Sequence, residues 1–369
     1  MNKNVHIRIK NIYYMLCYAF TTLREDSYAD IGKEQFDKIY DLFAAILAKG
    51  IGVQLKQGLY KEYVNHVEDL PVIHGKISMP GTIRNRMNQR MAVTCDFDEL
   101  SVNNIMNQIL KSTAYLLLRQ KDVKEKYKAE LKREMLLFSE VDKVDLRQVR
   151  WRDLQFQRNN RTYSLLIGIC QMLAEGSLMT TERGEYHLAS FIDDQRMCRL
   201  YEKFILEYYA QEYSWVNGFS SKALQIPWAL DDGNGARLPV MQTDITLTYG
   251  NRMIIIDAKY YSRTMQNNYD TLTLHSGNLY QIFTYVKNQA ELEKEKEKVQ
   301  KGAGHEVFGM LLYAKTDEEV VPDNVYQMSG NRISVKTLDL NQEFSRIAAQ
   351  LDEIVKEYFG IEKQAEKEM

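Results

Sequence analysis

This chain lacks the marks of several protein classes, and each lack excludes something. Its four cysteines, Cys17, Cys95, Cys170 and Cys198, are far apart with no C-x-x-C spacing, and its six histidines do not cluster with them. A structural zinc site is therefore not expected, and the cysteines read as buried reduced thiols. No apolar run approaches membrane-spanning length, and residues 1–6 lead into an amphipathic segment rather than a signal peptide, so a cytoplasmic protein with no membrane partner is expected. No G-x-x-x-x-G-K-[ST] phosphate loop occurs, so this chain is not expected to hydrolyse nucleotide itself. An excess of charge of one sign is missing too: the formal net charge is -2 over 369 residues. That argues against a surface made wholly for nucleic acid, and any DNA contact has to come from a local basic patch. There is no internal repeat.

What is present is ordinary globular chemistry, 45% hydrophobic and 27% charged, at a length that allows two domains. The first half reads as mainly helical. Ile12, Met15, Leu16 and Ala19 share one helical spacing, and Phe36, Ile39, Tyr40, Phe43, Ile46 and Leu47 share another before Gly50. A loop-like stretch at 71–76 leads to Pro80-Gly81 and then to Arg84, Arg86 and Arg90, with no acid between Lys76 and Asp96. That local positive patch suits phosphate or an acidic partner, although arginines on one helix are as often a solvated face. Ser101 is positioned to cap a helix carrying Ile105, Ile109, Leu110 and Leu116, a further helix is suggested around 131–138, and another over 163–174. Loop signals at 176–184 place a domain boundary near 160–180, here taken as 1–165 and 166–369.

The second half alternates helix, strand pair, helix, strand and helix, which suggests a mixed sheet with helices on its faces and an α+β chain as a whole. A helix over 197–209 presents Leu200, Phe204 and Tyr208, with Glu202 off that face. Ser276 can cap a helix in which Gln281 and Tyr285, four apart, share one side. The charged run 291–301 reads as a solvated loop or helix end, 307–313 as an apolar strand, and Phe344, Ile347, Leu351, Ile354, Val355 and Phe359 as the apolar face of a closing helix.

The stretch that carries chemistry lies in the strand pair. Met241-Gln242-Thr243-Asp244-Ile245-Thr246-Leu247 and Met253-Ile254-Ile255-Ile256-Asp257-Ala258-Lys259 flank a Gly250-Asn251 turn signal, so a β-hairpin is expected. Alternation puts Asp257 and Lys259 on one face, and pairing brings Asp244 alongside. Two carboxylates beside an ammonium can hold Mg²⁺ through hard oxygen ligands while the lysine orients a water and meets charge on a phosphate, which is the chemistry of phosphodiester hydrolysis. The bland alternative is a surface ion pair of little energetic value. The uninterrupted Ile254-Ile255-Ile256 run favours the functional reading, because ending a buried strand in Asp-x-Lys needs a reason.

These elements resemble the PD-(D/E)XK nuclease superfamily: Glu202 on a helix, Asp244, then Asp257-Ala258-Lys259, with Gln281-x-x-x-Tyr285 similar to its RecB-like branch. Thr243 stands where the nominal motif has proline. Across nearly the whole chain, Asn11-Ile12-Tyr13-Tyr14-Met15-Leu16-Cys17-Tyr18-Ala19, the stretch 104–112 and His275-Ser276-Gly277-Asn278-Leu279-Tyr280-Gln281 resemble the McrC family. That resemblance implies an N-terminal stalk domain (1–165) followed by a PD-(D/E)XK endonuclease domain (166–369). It implies the nuclease subunit of a GTP-dependent, 5-methylcytosine-specific restriction system, acting on double-stranded DNA with modified cytosine. The stalk enters and stimulates a separate McrB-like AAA+ GTPase ring, so GTP is bound by the partner and not by this chain. Mg²⁺ would be held by Asp244, Asp257, the Ala258 carbonyl and Glu202, Lys259 would position the attacking water, and Gln281 and Tyr285 would support the site. Arg84, Arg86 and Arg90 are candidates for the partner contact by charge alone. Two rival readings are a non-cleaving adaptor of the ring and a self-sufficient RecB-like nuclease.

Overall fold

The structure, a computed structural model, describes residues 7–157, 160–182, 194–232, 235–260, 265–268, 271–300, 304–315 and 321–363. Residues 1–6, on which the expectation about a leader rests, lie outside them. The chain forms two compact units. An inserted unit comprises Thr22–Gly184, and a split unit combines Met1–Thr21 with Glu185–Met369. A single cut at 165 does not describe this division, because one continuous helix, Arg161–Glu182, runs through that position, and the first helix, α1 (Ile9–Ala19), packs with the C-terminal elements.

The inserted unit has a helical body: α2 (Ala29–Lys33), α3 (Ile39–Gln57), and later α5 to α7. The largely buried α3 carries Leu42, Phe43, Ile46, Leu47 and Ile51. Between α3 and the later α5 the mainly helical reading, with its loop-like stretch at 71–76, left out a sheet. β1 (Glu62–Leu70), β2 (Lys76–Ile77), α4 (Met79–Met87) and β3 (Val93–Ser101) make a small antiparallel sheet in the order β1-β3-β2 with one helix against it. The strands carry little sequence signal because they bury little and show no clean apolar alternation. Ser101 ends β3 and does not cap. Asn104 is the N-cap of α5 (Ile105–Arg119), accepting the Asn107 N–H at 3.2 Å. The chain continues through α6 (Glu125–Met135) and α7 (Arg161–Glu182), so 176–182, read as loop, extend the helix, while 183 and 184 lie outside the described residues.

The base of β1 and β3 is pinned to the helical body by buried amides. Asn107 Nδ2 donates to the carbonyls of Tyr60 (2.9 Å) and Val102 (2.8 Å), its Oδ1 accepts from Tyr163 Oη (2.7 Å), and Tyr163 Oη accepts the Tyr60 N–H (3.0 Å). Buried polar groups so completely paired fix one geometry, since each lost bond would leave a desolvated partner.

The split unit is built on α8 (Asp194–Glu212) and a six-stranded mixed sheet. After β4 (Ser220–Lys222) and the short ladder β5 (Gln225–Ile226) and β6 (Met241–Gln242) come β7 (Ile245–Tyr249) and β8 (Arg252–Lys259). β7 and β8 are the expected hairpin, closing Tyr249 opposite Arg252, with Gly250 at φ +59° where only a residue without Cβ turns freely. The separate ladder β9 (Met265–Asn268) and β10 (Thr271–Leu274) follows. Then come α9 (Ser276–Gln300), β11 (Glu306–Ala314), β12 (Asn324–Met328), β13 (Asn331–Leu338) and α10 (Phe344–Phe359). The sheet order is β12-β13-β11-β8-β7-β4, with β8, β11 and β13 parallel to one another and the other pairs antiparallel.

β8 therefore lies inside the sheet. Ile255 faces a core with Ile282 and Val286 of α9, while α8 and α10 pack on the other side of the strands, where Tyr358 Oη meets Ser334 Oγ at 2.8 Å. Full burial of Ile254, Ile255 and Ile256 contributes about 1.5–3 kcal/mol per side chain. Gly309 of β11 admits α9 closely, for a Cβ there would stand 2.8 Å from Val286 Cγ2. α1 joins the α8 and α10 side: Asn11 Nδ2 donates to the carbonyls of Leu340 and Gln342, and the Tyr18 ring packs on Phe204, Tyr208 and Phe344. Periodicity alone tells that α1 has an apolar face, not which partner covers it.

One further expectation changes and one left open is decided. Ser276 is already the first residue of α9, and the preceding His275 carbonyl accepts the N–H groups of Asn278 and Leu279. The charged run from 291 remains helical through Gln300, supported by the i,i+3 pairs Lys294–Glu291 and Lys296–Glu293, and Lys301 lies outside the described residues. No helix among the described residues is long and apolar enough to cross a membrane.

Candidate active site

The last paired residues of the hairpin toward the site are Ile245 and Ile256, so the next step along both strands sets Asp244 beside Asp257. Asp244 Oδ2 accepts the Ala258 N–H at 3.0 Å, which ties its carboxylate to the end of β8. Thr243 explains its own departure from proline. Its N–H donates to the Leu224 carbonyl at 2.9 Å, and its Oγ1 accepts the Leu224 N–H at 2.9 Å. Proline could supply neither bond, so the threonine clamps the chain at the residue before Asp244.

Asp257 is 1% exposed, yet neither carboxylate oxygen receives a well-directed hydrogen bond. Lys259 Nζ stands 2.8 Å from Oδ2 as an ion pair. Burial pushes the Asp257 carboxyl up to about 7, with the Lys259 charge pulling it down and Asp244 pushing it further up. A buried carboxylate held by one ammonium and left short of donors is the kind of unsatisfied group that calls for an explanation.

Lys259 is in turn held from α9. Its Nζ donates to Gln281 Oε1 at a long 3.4 Å, and Gln281 Nε2 donates to Tyr285 Oη at 3.0 Å. The expectation that Gln281 and Tyr285 share one side of α9 is met by that hydrogen bond.

Glu202 approaches from α8. Burial raises its carboxyl pKa, and the charge of Asp244 raises it further. It does not close a cage with the aspartates: among the described residues no three His, Cys, Asp or Glu side chains are grouped so as to hold a metal ion. What converges is two aspartates, the backbone at Ala258 and a lysine, with Glu202 near. Sequence reasoning missed Cys198, one helical turn before Glu202, whose Sγ donates to Glu202 Oε1 at 3.1 Å and lies 3.9 Å from the Ala258 carbonyl oxygen. The only signal was its i,i+4 spacing to Glu202. Cys17, Cys95 and Cys170 are the buried thiols expected, whereas Cys198 is half-buried.

Arg84, Arg86 and Arg90 belong to the inserted unit. Arg84 and Arg86 are exposed in the last turn of α4, and Arg90 is exposed three residues beyond it. With Thr94, Asn85 and the charges of Arg90 and Arg84 around it, Asp69 is held below the usual carboxylate range, led by the Thr94 hydrogen bond.

Fold and site together define an α+β protein whose mixed sheet carries a buried, lysine-paired carboxylate cluster at the end of its central hairpin. The chain belongs to the family of McrBC 5-methylcytosine restriction system components, whose profile matches residues 2–297. It is 28% identical over 353 residues to the Type IV methyl-directed restriction enzyme EcoKMcrBC of Escherichia coli K12, covering 95% of this chain and 98% of that protein. Among solved structures it is similar to a half-complex from a tetradecameric assembly of Thermococcus gammatolerans McrB AAA+ hexamers with bound McrC. That match has TM-score 0.49 and 18% identity, over 94% of this chain and 76% of the other. A cryo-EM structure of the T. gammatolerans McrBC complex matches with TM-score 0.42 and 22% identity, over 55% and 58% of the two chains.

Proposed function

We propose that this chain is the Mg²⁺-dependent DNA endonuclease subunit of a GTP-dependent, 5-methylcytosine-specific restriction complex acting in the cytoplasm. The observation that carries the reading is the Asp244–Asp257–Lys259 cluster, in which a fully buried carboxylate lacks directed donors while its neighbours are held in place.

The residues present fit a hard divalent cation. Asp257, Asp244 and the Ala258 carbonyl would hold Mg²⁺, an ion that is usually bound through one or two carboxylates and keeps several waters for exchange with substrate phosphate. An open set of this kind needs no third converging side chain, and Glu202 would reach it directly or through water. The chemistry supplied by the bound ion is Lewis-acid polarisation of a phosphate oxygen and neutralisation of charge. Lys259 orients the attacking water and meets charge that builds on the phosphate. Gln281 and Tyr285 hold the Lys259 ammonium in register, and the sheet's buried core fixes all of these groups on rigid elements.

The same reading gives the inserted unit the role of docking an McrB-like AAA+ ring and stimulating its GTPase. Tyr63, Val67, Val72, Ile73, Met87 and Met91 are all exposed on or beside its small sheet and α4, close in sequence to Arg84, Arg86 and Arg90. So many outward apolar side chains in one subregion are what a protein partner's surface requires. The test is cleavage of methylated and unmethylated plasmid by this protein with its McrB-like partner, GTP and Mg²⁺. Methylation-dependent cutting that vanishes in Asp257→Asn is expected. Undiminished cutting by that variant would assign the chain to the adaptor reading, and cutting without the partner or GTP would assign it to the self-sufficient nuclease.

A further inference from the structure

We infer that Cys198 is a positioning residue of the carboxylate site, a role that rests on the metal-dependent cleavage proposed above. Glu202 sits on α8 with its carboxylate half-buried and facing the negative charge of Asp244. A long glutamate side chain under that repulsion gains rotamer freedom and hydration by swinging outward. The thiol of Cys198 opposes this. Four residues earlier on the same helix, it directs its S–H at Glu202 Oε1 across 3.1 Å, so one carboxylate oxygen is occupied and the other is left for the site.

The same sulfur lies 3.9 Å from the carbonyl oxygen of Ala258. Cys198 therefore lies beside two of the groups expected to face the cation, one on α8 and one on β8, with its single proton given to Glu202. Groups that orient ligands in this way commonly matter almost as much as the ligands themselves. The other three cysteines have no such neighbours among the carboxylates of the site and are buried. The chemistry that Cys198 contributes is that of a small neutral donor: it holds a carboxylate without adding charge to a cluster that already contains three carboxylates and an ammonium.

The test compares Cys198→Ala and Cys198→Ser with wild type and with Asp257→Asn in the complete complex. Cleavage is followed as a function of Mg²⁺ concentration, and the Mg²⁺ concentration needed to raise the melting temperature of this chain is recorded separately, since a ligand stabilises the state it binds. Removing the donor in Cys198→Ala is expected to raise the half-saturating Mg²⁺ on the order of tenfold in both measurements, with the rate at saturating Mg²⁺ nearly kept. Serine, which donates as the thiol does, is expected to restore the wild-type value. If alanine leaves the Mg²⁺ dependence unchanged, or if serine fails to rescue it, Cys198 is a packing residue and the inference is overturned. If Asp257→Asn still cuts, it is the reading of the site that fails, and the two failures are thereby told apart.

Discussion

The two compact units each contain a sheet, and they use it in opposite ways. In the split unit the six-stranded sheet is covered on both faces, and its innermost hairpin ends in a carboxylate that is 1% exposed. In the inserted unit the three-stranded sheet is open: Tyr63 and Val67 of β1 and Leu100 of β3 are exposed, and the residues with unusual surroundings are apolar and face outward. A charge inside and an apolar surface outside are both costly for folding alone. On the proposed function each cost has a reason, and the two reasons differ, chemistry in one unit and docking in the other.

The largest expected effect separates those two kinds of work. Asp257→Asn is expected to lower cleavage by more than about a hundredfold, beyond what loss of an orienting group costs, while stimulation of the partner's GTPase stays at the wild-type level. Parallel assays of plasmid cutting and phosphate release check this, and loss of both activities together would erase the distinction between the units.

The amide pins of the inserted unit come next. Asn107→Ala leaves Tyr163 Oη without its acceptor and takes one of two donors from each of the carbonyls of Tyr60 and Val102, which Asn104 also meets. It is expected to cost about 2–3 kcal/mol, read as a lower denaturant midpoint. Partner stimulation should fall with it if the small sheet is the docking element. A variant that loses stability and keeps full stimulation would move the docking surface elsewhere.

A smaller effect is expected from reversing charge at Arg84, Arg86 and Arg90 together. Because these side chains are exposed, stability should change by less than about 0.5 kcal/mol for each, while partner affinity falls and becomes less sensitive to salt. Calorimetric titration with the partner at two ionic strengths decides it, and unchanged affinity would leave the arginines as a solvated face.

The last effect, read only as a slope, is a pH dependence of the metal-free chain. Asp257 has a folded-state pKa raised to about 7 from 3.8, through burial against the partly opposing charge of Lys259 and the reinforcing charge of Asp244. The folded state thus holds a proton over a window in which the unfolded chain has released it. Stability should fall as pH rises from about 4 toward about 7 and level off above. Asp257→Asn should lack that slope. Melting curves of the two proteins in chelator check it, and parallel slopes would show that Asp257 ionises freely in the fold.

Much of the split unit was legible in advance because its elements obey one period each. The Gly250 turn between two β-branched runs specified the hairpin, alternation specified that Asp257 and Lys259 share a face, and 3.6-residue spacing specified α8, α9 and α10. The inserted unit was harder to read for a physical reason: β1 and β3 are not half-buried strands, so the apolar alternation that announces a strand is missing. The charged end of α9 left loop and helix end both open, since its helix is supported by ion pairs along its surface and not by an apolar stripe.

By itself, then, the sequence determined the local chemistry: which side chains alternate onto one face, where the hairpin turns, and that an aspartate and a lysine close a buried strand. Only the tertiary structure decided which distant residues complete the site. The placement of α1 with α8 and α10, the Leu224–Thr243 clamp, the Cys198–Glu202 contact beside the Ala258 carbonyl, and the close approach of α9 over Gly309 all depend on packing between elements far apart in the chain. Periodicity says that a face must be covered, but shape and hydrogen-bond complementarity select what covers it.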